Sequence, residues 1–163
     1  MNRARLTVTI AITAALISTC GFATERVSGQ DTVTPTQVQD ALVVVRQGDG
    51  PRRQAPADHF TGKAHVEGAF AAAAPSRVTF ASVTFEPSAR TAWHTHPLGQ
   101  TLVVTSGVGL VQAEGGPIEE IRPGDVAHIP GGVRHWHGAS PTSSMTHIAI
   151  LEPLDGERVE WME

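Results

Sequence analysis

The chain has 163 residues, a formal net charge of −4 at pH 7 and a single cysteine, Cys20. This acidic balance, with no basic run, Walker loop or dinucleotide fingerprint, gives no electrostatic basis for binding nucleic acid. The length suits one domain with a short appendage.

The N-terminal segment has the pattern of a secretory signal peptide. Two arginines precede an uncharged, mostly apolar stretch at residues 6–18, and small residues follow up to Ala23. The stretch is too short for a membrane span, so we predict a signal peptide at residues 1–23 and an exported protein, periplasmic or secreted, with no membrane attachment after cleavage. Lipid anchoring at Cys20 is the alternative. Cleavage after Ala23 removes the cysteine, which excludes disulfides and cysteine-bound zinc.

Residues 24–56 are predicted to form a spacer and an arm. Residues 24–40 are polar, a β-branched run at 41–45 predicts a first strand, and a stretch rich in Gly, Pro and Arg at 47–56 predicts a loop. A strand is expected near residues 63–67, followed by a loop at 69–75.

From residue 77 onward, short apolar runs alternate with Gly and Pro turns. We predict strands at 77–86, 100–105, 108–114, 118–121, 126–129, 134–137, 145–151 and 158–162. No long window has a 3.6-residue period, so the pattern predicts an all-β sandwich or barrel. Along 77–86, either Phe80, Ser82 and Thr84 or Ala81 and Val83 line the interior, and parity alone does not choose between these sets.

Histidines carry the chemical signal. His94 and His96 point to one face of a strand, so they can bind one metal ion, and a second strand can bring His135 to it. Imidazole suits zinc, copper, iron, nickel or manganese. His137 shares the parity of His135, and His147 lies on a late strand whose inner face would bring it near the metal.

The remaining candidates are expected to be structural. This group comprises His59, His65 and His128, together with Trp93 and Trp136, whose parity is opposite to that of the neighbouring histidines.

Two motifs in order resemble those of the cupins. The first has His94 and His96, with Gln100 where the family commonly has glutamate, and Gly107, while Ser88 stands at its first glycine. The second has Gly124, Pro130, Gly132 and His135, with Ala139 at its asparagine. The resemblance implies a double-stranded β-helix, the jelly-roll barrel, over residues 57–163 as a single domain.

A closer likeness is to the small bacterial cupins that include manganese-dependent, R-selective hydroxynitrile lyases. It is carried by the strings HFTG, FEPSARTAWHTHPLGQTLVVTSGVG, GGPIEEIRPGDV and HWHGASPTSSMTHIAILE. In those enzymes the fourth metal ligand is glutamine. The likeness implies a divalent metal, manganese in preference to iron, zinc or nickel, and a small-molecule substrate. The implied ligands are His94, His96, Gln100 and His135.

The same likeness implies a catalytic role for His147, and the parity that His137 shares with His135 makes His137 a second candidate. His147 would remove the hydroxyl proton of a cyanohydrin, and His137 would orient the substrate or protonate the leaving cyanide. Four neutral ligands keep the full +2 charge on the metal, which favours lyase or acid–base chemistry over redox chemistry. A cupin dioxygenase or other redox enzyme, and a non-catalytic periplasmic barrel that binds a metal or small molecule, are the alternatives. Small cupins commonly pair, so we expect a homodimer or homotetramer with an early strand exchanged at the interface.

Overall fold

The computed structural model describes residues 42–46, 48 and 50–162. The predicted signal peptide, Cys20 and most of the predicted spacer lie outside these residues. All regular elements in the described part are strands, which confirms the all-β class. No helix there is long and apolar enough to cross a bilayer. The described residues belong to one compact unit.

Thirteen strands are present in the part of the chain that the structure describes. They are β1 (Arg53–Gln54), β2 (Phe60–Thr61), β3 (Ala64–Ala71), β4 (Thr79–Phe85), β5 (Arg90–Thr91), β6 (His94–Thr95), β7 (Gln100–Gly107), β8 (Gly109–Ala113), β9 (Ile118–Ile121), β10 (Val126–Ile129), β11 (His135–Ala139), β12 (Met145–Leu151) and β13 (Glu160–Trp161).

The strands form two antiparallel sheets. The first sheet has the order β1-β3-β4-β12-β7-β10, and the second has the order β13-β6-β11-β5-β2, with β8 and β9 extending from β11. Both sheets contribute to one apolar core, with Phe85, Val104 and Met145 from the first and Ile121 and Ala139 from the second. This is the jelly-roll arrangement that the motifs predicted.

The inner face of the first sheet is now defined. Val83 and Phe85 of β4 are buried in the core. Phe80, Ser82 and Thr84 instead line a groove on the outer face, so Ala81 and Val83 belong to the interior. The register pairs His147 of β12 with Val83, which places this histidine inside the barrel as well.

Three expectations near the N-terminus need correction. Residues 42–46 are irregular rather than a strand, and Leu42 is 93% exposed, because a β-branched run becomes a strand only where an edge pairs with it. The loop predicted from residue 69 is strand up to Ala71, because Phe70 pairs with Phe80 of β4. β1 pairs with β3, so the first sheet already begins inside the predicted arm.

Candidate metal centre

Five histidines and one glutamine meet inside the barrel, and they come from both sheets. His94 and His135 are direct partners in the pairing of β6 with β11. His147 reaches the same region from β12 of the first sheet. The set is His94, His96, Gln100, His135, His137 and His147, and each member is at most 5% exposed. The structure therefore brings together all six residues that the sequence predicted for the site.

Three of these histidines lie closest together. The ring nitrogens of His94, His135 and His137 come within 4.8 Å of one another, a grouping that can hold a metal ion. The ring centre of His96 lies 5.0 Å from that of His94 and 5.6 Å from that of His135. The predicted ligand trio has His96 where this grouping has His137, so the two imidazoles compete for the third position.

Backbone carbonyls set the tautomers of the three predicted ligands. Nδ1 of His94 lies 2.9 Å from the carbonyl oxygen of Ala92, and Nδ1 of His135 lies 2.9 Å from that of Val133. Nδ1 of His96 contacts the carbonyl oxygen of Arg158. A carbonyl only accepts, so each Nδ1 carries the hydrogen and each neutral ring keeps its lone pair on Nε2. This is the usual preparation of a histidine for metal binding.

Gln100 lies against two of these imidazoles. Its Oε1 lies 3.2 Å from Nε2 of His135, and its carboxamide also interacts with His96 and raises the pKa of that ring against the effect of burial. Oε1 and the Nε2 lone pair are both acceptors, so a cation beside them, or an amide rotated by half a turn, is needed to make the contact favourable. The geometry suits a carboxamide ligand.

Gly99 lets the chain place Gln100. Its φ is +84°, and a Cβ at this position would lie 2.5 Å from the carbonyl oxygen of Ile129. Only glycine fits both conditions without moving backbone.

His137 and His147, both members of this set, form a hydrogen-bonded pair. Nε2 of His147 lies 3.1 Å from Nδ1 of His137, and Phe85 contacts both rings. Unlike the three predicted ligands, His137 has another imidazole rather than a carbonyl at Nδ1. Either ring can donate in this contact, so the tautomer of His137 is free to change.

Burial keeps the cluster neutral. It lowers the pKa of His94 to about 3, assisted by the nearby His135, and lowers the pKa of His147 to about 4. The pKa of His137 lies well below its usual value, first because of burial and then because of the neighbouring histidines. Burial also lowers the pKa values of His96 and His135. Neutral imidazole is the form that binds a metal or accepts a proton.

Several buried ring nitrogens of the cluster lack a hydrogen-bond partner among the described residues. Among the described residues, none forms a hydrogen bond of good geometry with Nε2 of His96, Nε2 of His137 or Nδ1 of His147. An unsatisfied buried polar atom costs about 1–3 kcal/mol. A divalent cation would satisfy Nε2 of His96 and a polar substrate would satisfy Nε2 of His137, so the residues present fit a metal centre.

A cavity lies at one end of the inner face, and none of the six site residues is among the residues that line it. Ala81 and Ala149 line it and lie one inward-facing step along their strands from Val83 and His147. Leu151 and Arg158 also line this cavity.

One contributor to the centre was not found from the sequence. The last strand was predicted, but no role was assigned to Trp161, whose ring centre lies 4.8 Å from that of His94, or to the carbonyl of Arg158. No local sequence pattern predicts such contacts, because they depend on the pairing of β13 with β6, which lies about 65 residues earlier in the chain.

The residues expected to be structural lie away from the cluster, with one partial exception. His128 is exposed and bonds to Thr101, and Trp136 donates to Gln112 on its own side of the sheet. Arg134 lies over the ring of Trp93. His59 is the exception, because it stacks on Trp161 and so supports the centre indirectly.

Comparison with known proteins agrees with this architecture. The model of the cupin domain matches residues 81–150. The (R)-mandelonitrile lyase of Granulicella tundricola is 58% identical over 122 residues, which cover 75% of this chain and 93% of the relative.

Solved structures show the same fold. A cupin-like protein of Thermotoga maritima is 38% identical, with a TM-score of 0.64 over 70% of this chain and 87% of the other. A polyketide cyclase of Streptomyces resistomycificus is 16% identical, with a TM-score of 0.58 over 76% of this chain and 87% of the other, a likeness of fold alone. From the two motifs, the barrel and these relatives, the chain belongs to the cupin family.

Proposed function

We propose that the protein is a metal-dependent hydroxynitrile lyase, which splits a cyanohydrin into a carbonyl compound and hydrogen cyanide and catalyses the reverse addition. The observation that carries this proposal is the hydrogen-bonded pair of His137 and His147, buried and neutral beside His94 and His135. Such a pair can take up and return a proton next to a Lewis acid. The 58% identity to an (R)-mandelonitrile lyase supports the choice of reaction.

The metal would be held by Nε2 of His94, His96 and His135 and by Oε1 of Gln100. We prefer His96 to His137 as the third imidazole because its Nδ1 is held by a carbonyl, which fixes the lone pair on Nε2. Four neutral protein ligands leave an open position only on a five- or six-coordinate ion, which favours manganese or iron over tetrahedral zinc. When bound, this ion would supply Lewis-acid polarisation of the substrate oxygen.

His137 and His147 would then handle the proton as a pair. Nε2 of His137 takes the hydroxyl proton of the cyanohydrin while its Nδ1 hydrogen passes toward Nε2 of His147, 3.1 Å away. The electrons of the O–H bond form the second bond of the carbonyl group. The bond between the carbinol carbon and the nitrile carbon breaks, and cyanide leaves with the electron pair of that broken bond. The proton returns to cyanide, so hydrogen cyanide departs and both rings are neutral again. His147 thus acts through His137 rather than as the lone base expected from the sequence.

The cavity supports a small substrate with an apolar body. Ala81, Ala149 and Leu151 offer methyl and isobutyl groups there. Phe70 and Phe80 add aromatic rings to the lining, and Thr79 and Arg158 add polar groups. An aromatic or aliphatic side group of a cyanohydrin would lose contact with water at this position, while its hydroxyl points toward the histidines.

The first experiment measures metal content and cyanide release from (R)-mandelonitrile. We expect about one manganese ion per chain in the purified protein, together with release of benzaldehyde and cyanide. His135→Ala should lose both metal and activity, whereas the matched control His128→Ala, an exposed histidine outside the centre, should keep both. Metal binding without cyanide release would reject the lyase in favour of another cupin chemistry, and oxygen consumption would then indicate a redox enzyme.

Two further variants separate binding from proton transfer. His137→Ala and His147→Ala should retain the metal and lose activity by about 10²–10⁴-fold, the usual contribution of general acid–base catalysis. Loss of metal from His137→Ala, with His96→Ala still loaded, would show that His137 is the ligand and that the assignment of these two residues must be exchanged.

Gln100→Glu tests the role of the neutral ligand set. The carboxylate would reduce the net charge of the centre from +2 to +1 and weaken its Lewis acidity. We expect the metal to stay bound and the lyase rate to fall. An unchanged rate would show that the charge of the fourth ligand does not matter for this reaction.

We also propose that the exported protein pairs with a second copy of itself. The support is the run from Leu42 to Val45, four apolar residues that are 37–93% exposed in one chain, of which Val45 lies along the outer groove of the first sheet. Light scattering of the purified protein and of Val44→Asp would test this, since a single molecular mass equal to one chain in the parent would contradict it.

A further inference from the structure

The C-terminal strand β13 lies directly against the strand that carries the predicted ligands. Trp161 pairs with His94 and Glu160 pairs with Thr95 in an antiparallel ladder. The backbone N–H of Met162 donates to the carbonyl oxygen of Trp93 at 2.9 Å. In the sheet order, β6 lies between β11 and β13, so without β13 the two-residue strand β6 would become an edge.

The same segment touches both imidazoles of the His-x-His pair. The carbonyl oxygen of Arg158 accepts the hydrogen bond from Nδ1 of His96. The ring of Trp161 lies against that of His94 with a centroid distance of 4.8 Å and an interplanar angle of 42°. One short segment therefore limits the tautomer of His96 and the ring orientation of His94.

Trp161 is itself held in place by His59. The two rings are stacked, with centroids 4.4 Å apart and planes only 3° from parallel. The carbonyl oxygen of His59 accepts from the N–H of Ala92, whose own carbonyl holds Nδ1 of His94. His94 therefore contacts Trp161, which stacks on His59, and the backbone of His59 is hydrogen-bonded to Ala92, whose carbonyl oxygen lies at Nδ1 of His94. These contacts connect His59 and Trp161 to the orientation of the His94 ring.

The segment contributes little to the apolar core. No residue of 158–162 belongs to the buried core cluster, whose members come from other parts of the barrel. Trp161 also contacts Phe60, which packs against that cluster, so part of the effect of Trp161→Ala falls on stability and Trp161→Phe is needed beside it.

We propose that residues 158–162 position His94 and His96 for the metal, with Trp161 and the carbonyl of Arg158 as the positioning groups. This inference rests on the proposed metal centre. Removing a group that orients a metal-bound histidine typically weakens metal affinity by about 10–100-fold.

The test measures Mn²⁺ and Co²⁺ affinities of the full chain by calorimetry, and the ligand geometry by the visible absorption of bound Co²⁺. We expect Trp161→Ala to bind both ions about 10–100-fold more weakly, with altered Co²⁺ bands. Trp161→Phe retains an aromatic ring beside His94 and should recover most of the affinity. Trp93→Ala is the matched control, because it removes a tryptophan next to His94 that packs under Arg134, and it should bind as the parent does.

A chain that ends at Glu157 removes both positioning groups at once. It should lose more affinity than Trp161→Ala, while the metal-free form keeps a cooperative thermal transition. If this variant does not fold, the comparison of Trp161→Ala with Trp161→Phe decides.

The proposed metal centre and the positioning role of residues 158–162 are contradicted by different results. A parent that binds neither ion would reject the metal centre and this inference with it. A parent that binds metal, with Trp161→Ala equal to it in affinity and in Co²⁺ spectrum, would overturn the positioning role and leave the proposed function intact.

Discussion

The barrel interior contains two regions that are equally buried and chemically opposite. Phe85 and Met145 in the apolar core and His135 and His147 in the histidine cluster all have 0% exposure, and the ring of Phe85 touches that of His147. The apolar side chains gain transfer free energy from leaving water, about 25 cal/mol per Å². The histidines are driven neutral, and several of their nitrogens stay without partners.

The same strand supplies both regions. Met145 and His147 are two residues apart on β12 and share its inner face, so one extended strand delivers an apolar side chain to the core and an imidazole to the centre. The apolar core therefore stabilises the barrel, whereas the histidine cluster lowers stability until a ligand satisfies its nitrogens, a pattern expected of functional sites.

Truncating one side chain in each region should lower the free energy of unfolding by unequal amounts. Phe85→Ala should lower the free energy of unfolding by about 4 kcal/mol, because it removes a fully buried ring from the core. His135→Ala in metal-free protein should cost less than about 1 kcal/mol, because it also removes an imidazole that burial has kept neutral. Urea unfolding of both variants measures the two values. Equal losses would show that the cluster stabilises the fold as the core does.

Binding of a metal ion should make the histidine cluster stabilise the folded protein, which it destabilises when no metal is bound. At free Mn²⁺ of about 100 times its dissociation constant, binding to the folded state should add about 2.7 kcal/mol of stability. Thermal unfolding with added Mn²⁺ and then with a chelator measures this gain and its reversal. The gain should be absent in His135→Ala, and a gain that persists there would place the ion elsewhere.

Acid should destabilise the metal-free protein through the cluster. The folded-state pKa of His147, about 4, lies below the unfolded value of 6.5, so the unfolded state binds more protons between these values. Stability from this neutral form is present above pH 6.5 and is lost as the pH falls toward 4. At pH 5 the loss from His147 alone should be about 2 kcal/mol.

Unfolding measured from pH 7 to pH 5 tests the sign. His147→Ala should reduce the pH dependence by the share of this one residue, and the other four buried histidines, whose pKa values are also lowered, should retain the rest. The exposed His128→Ala should leave the dependence unchanged. Stability that rises on acidification would contradict a buried neutral cluster.

The smallest effect is expected at Ser88, which stands where the cupin motif has glycine. Ser88 has a φ of +66°, in the left-handed region, where a side chain costs about 1–2 kcal/mol. Ser88→Gly relieves this cost and loses part of the gain to the greater freedom of glycine in the unfolded chain, so a net stabilisation of about 0.5–1 kcal/mol is expected. A lower melting temperature in this variant would show that the Ser88 side chain makes a favourable contact that outweighs the strain.

Local patterns were sufficient for the fold class and for the members of the candidate site. The jelly-roll barrel and the place of Gln100 in the site followed from the resemblance to the cupins. Alternating apolar residues and Gly/Pro turns predicted the strands, and strand parity predicted that His94 and His96 share a face that a second strand could bring to His135. Both succeed because strand parity is a property of the backbone alone: residues two apart share a face wherever the strand lies.

Long-range pairing between strands decided which face of a strand is buried and where strands begin and end, which parity does not specify. It placed Ala81 and Val83 rather than Phe80 and Ser82 inside the barrel, left the run at residues 42–46 outside any strand, and extended β3 through Ala71. These outcomes depend on which edges find partners, and a single sequence does not specify partners that are far apart in the chain.

Periodicity is local, so the sequence by itself was enough to predict an all-β fold, and the resemblance of two motifs to those of the cupins was enough to predict a cluster of histidines in its interior. Only the tertiary structure decided that His137 bonds to His147 and that Trp161 and Arg158 reach back to His94 and His96. The physical reason is that hydrogen bonds and ring contacts between imidazoles are set by the register between strands, which the whole barrel fixes at once.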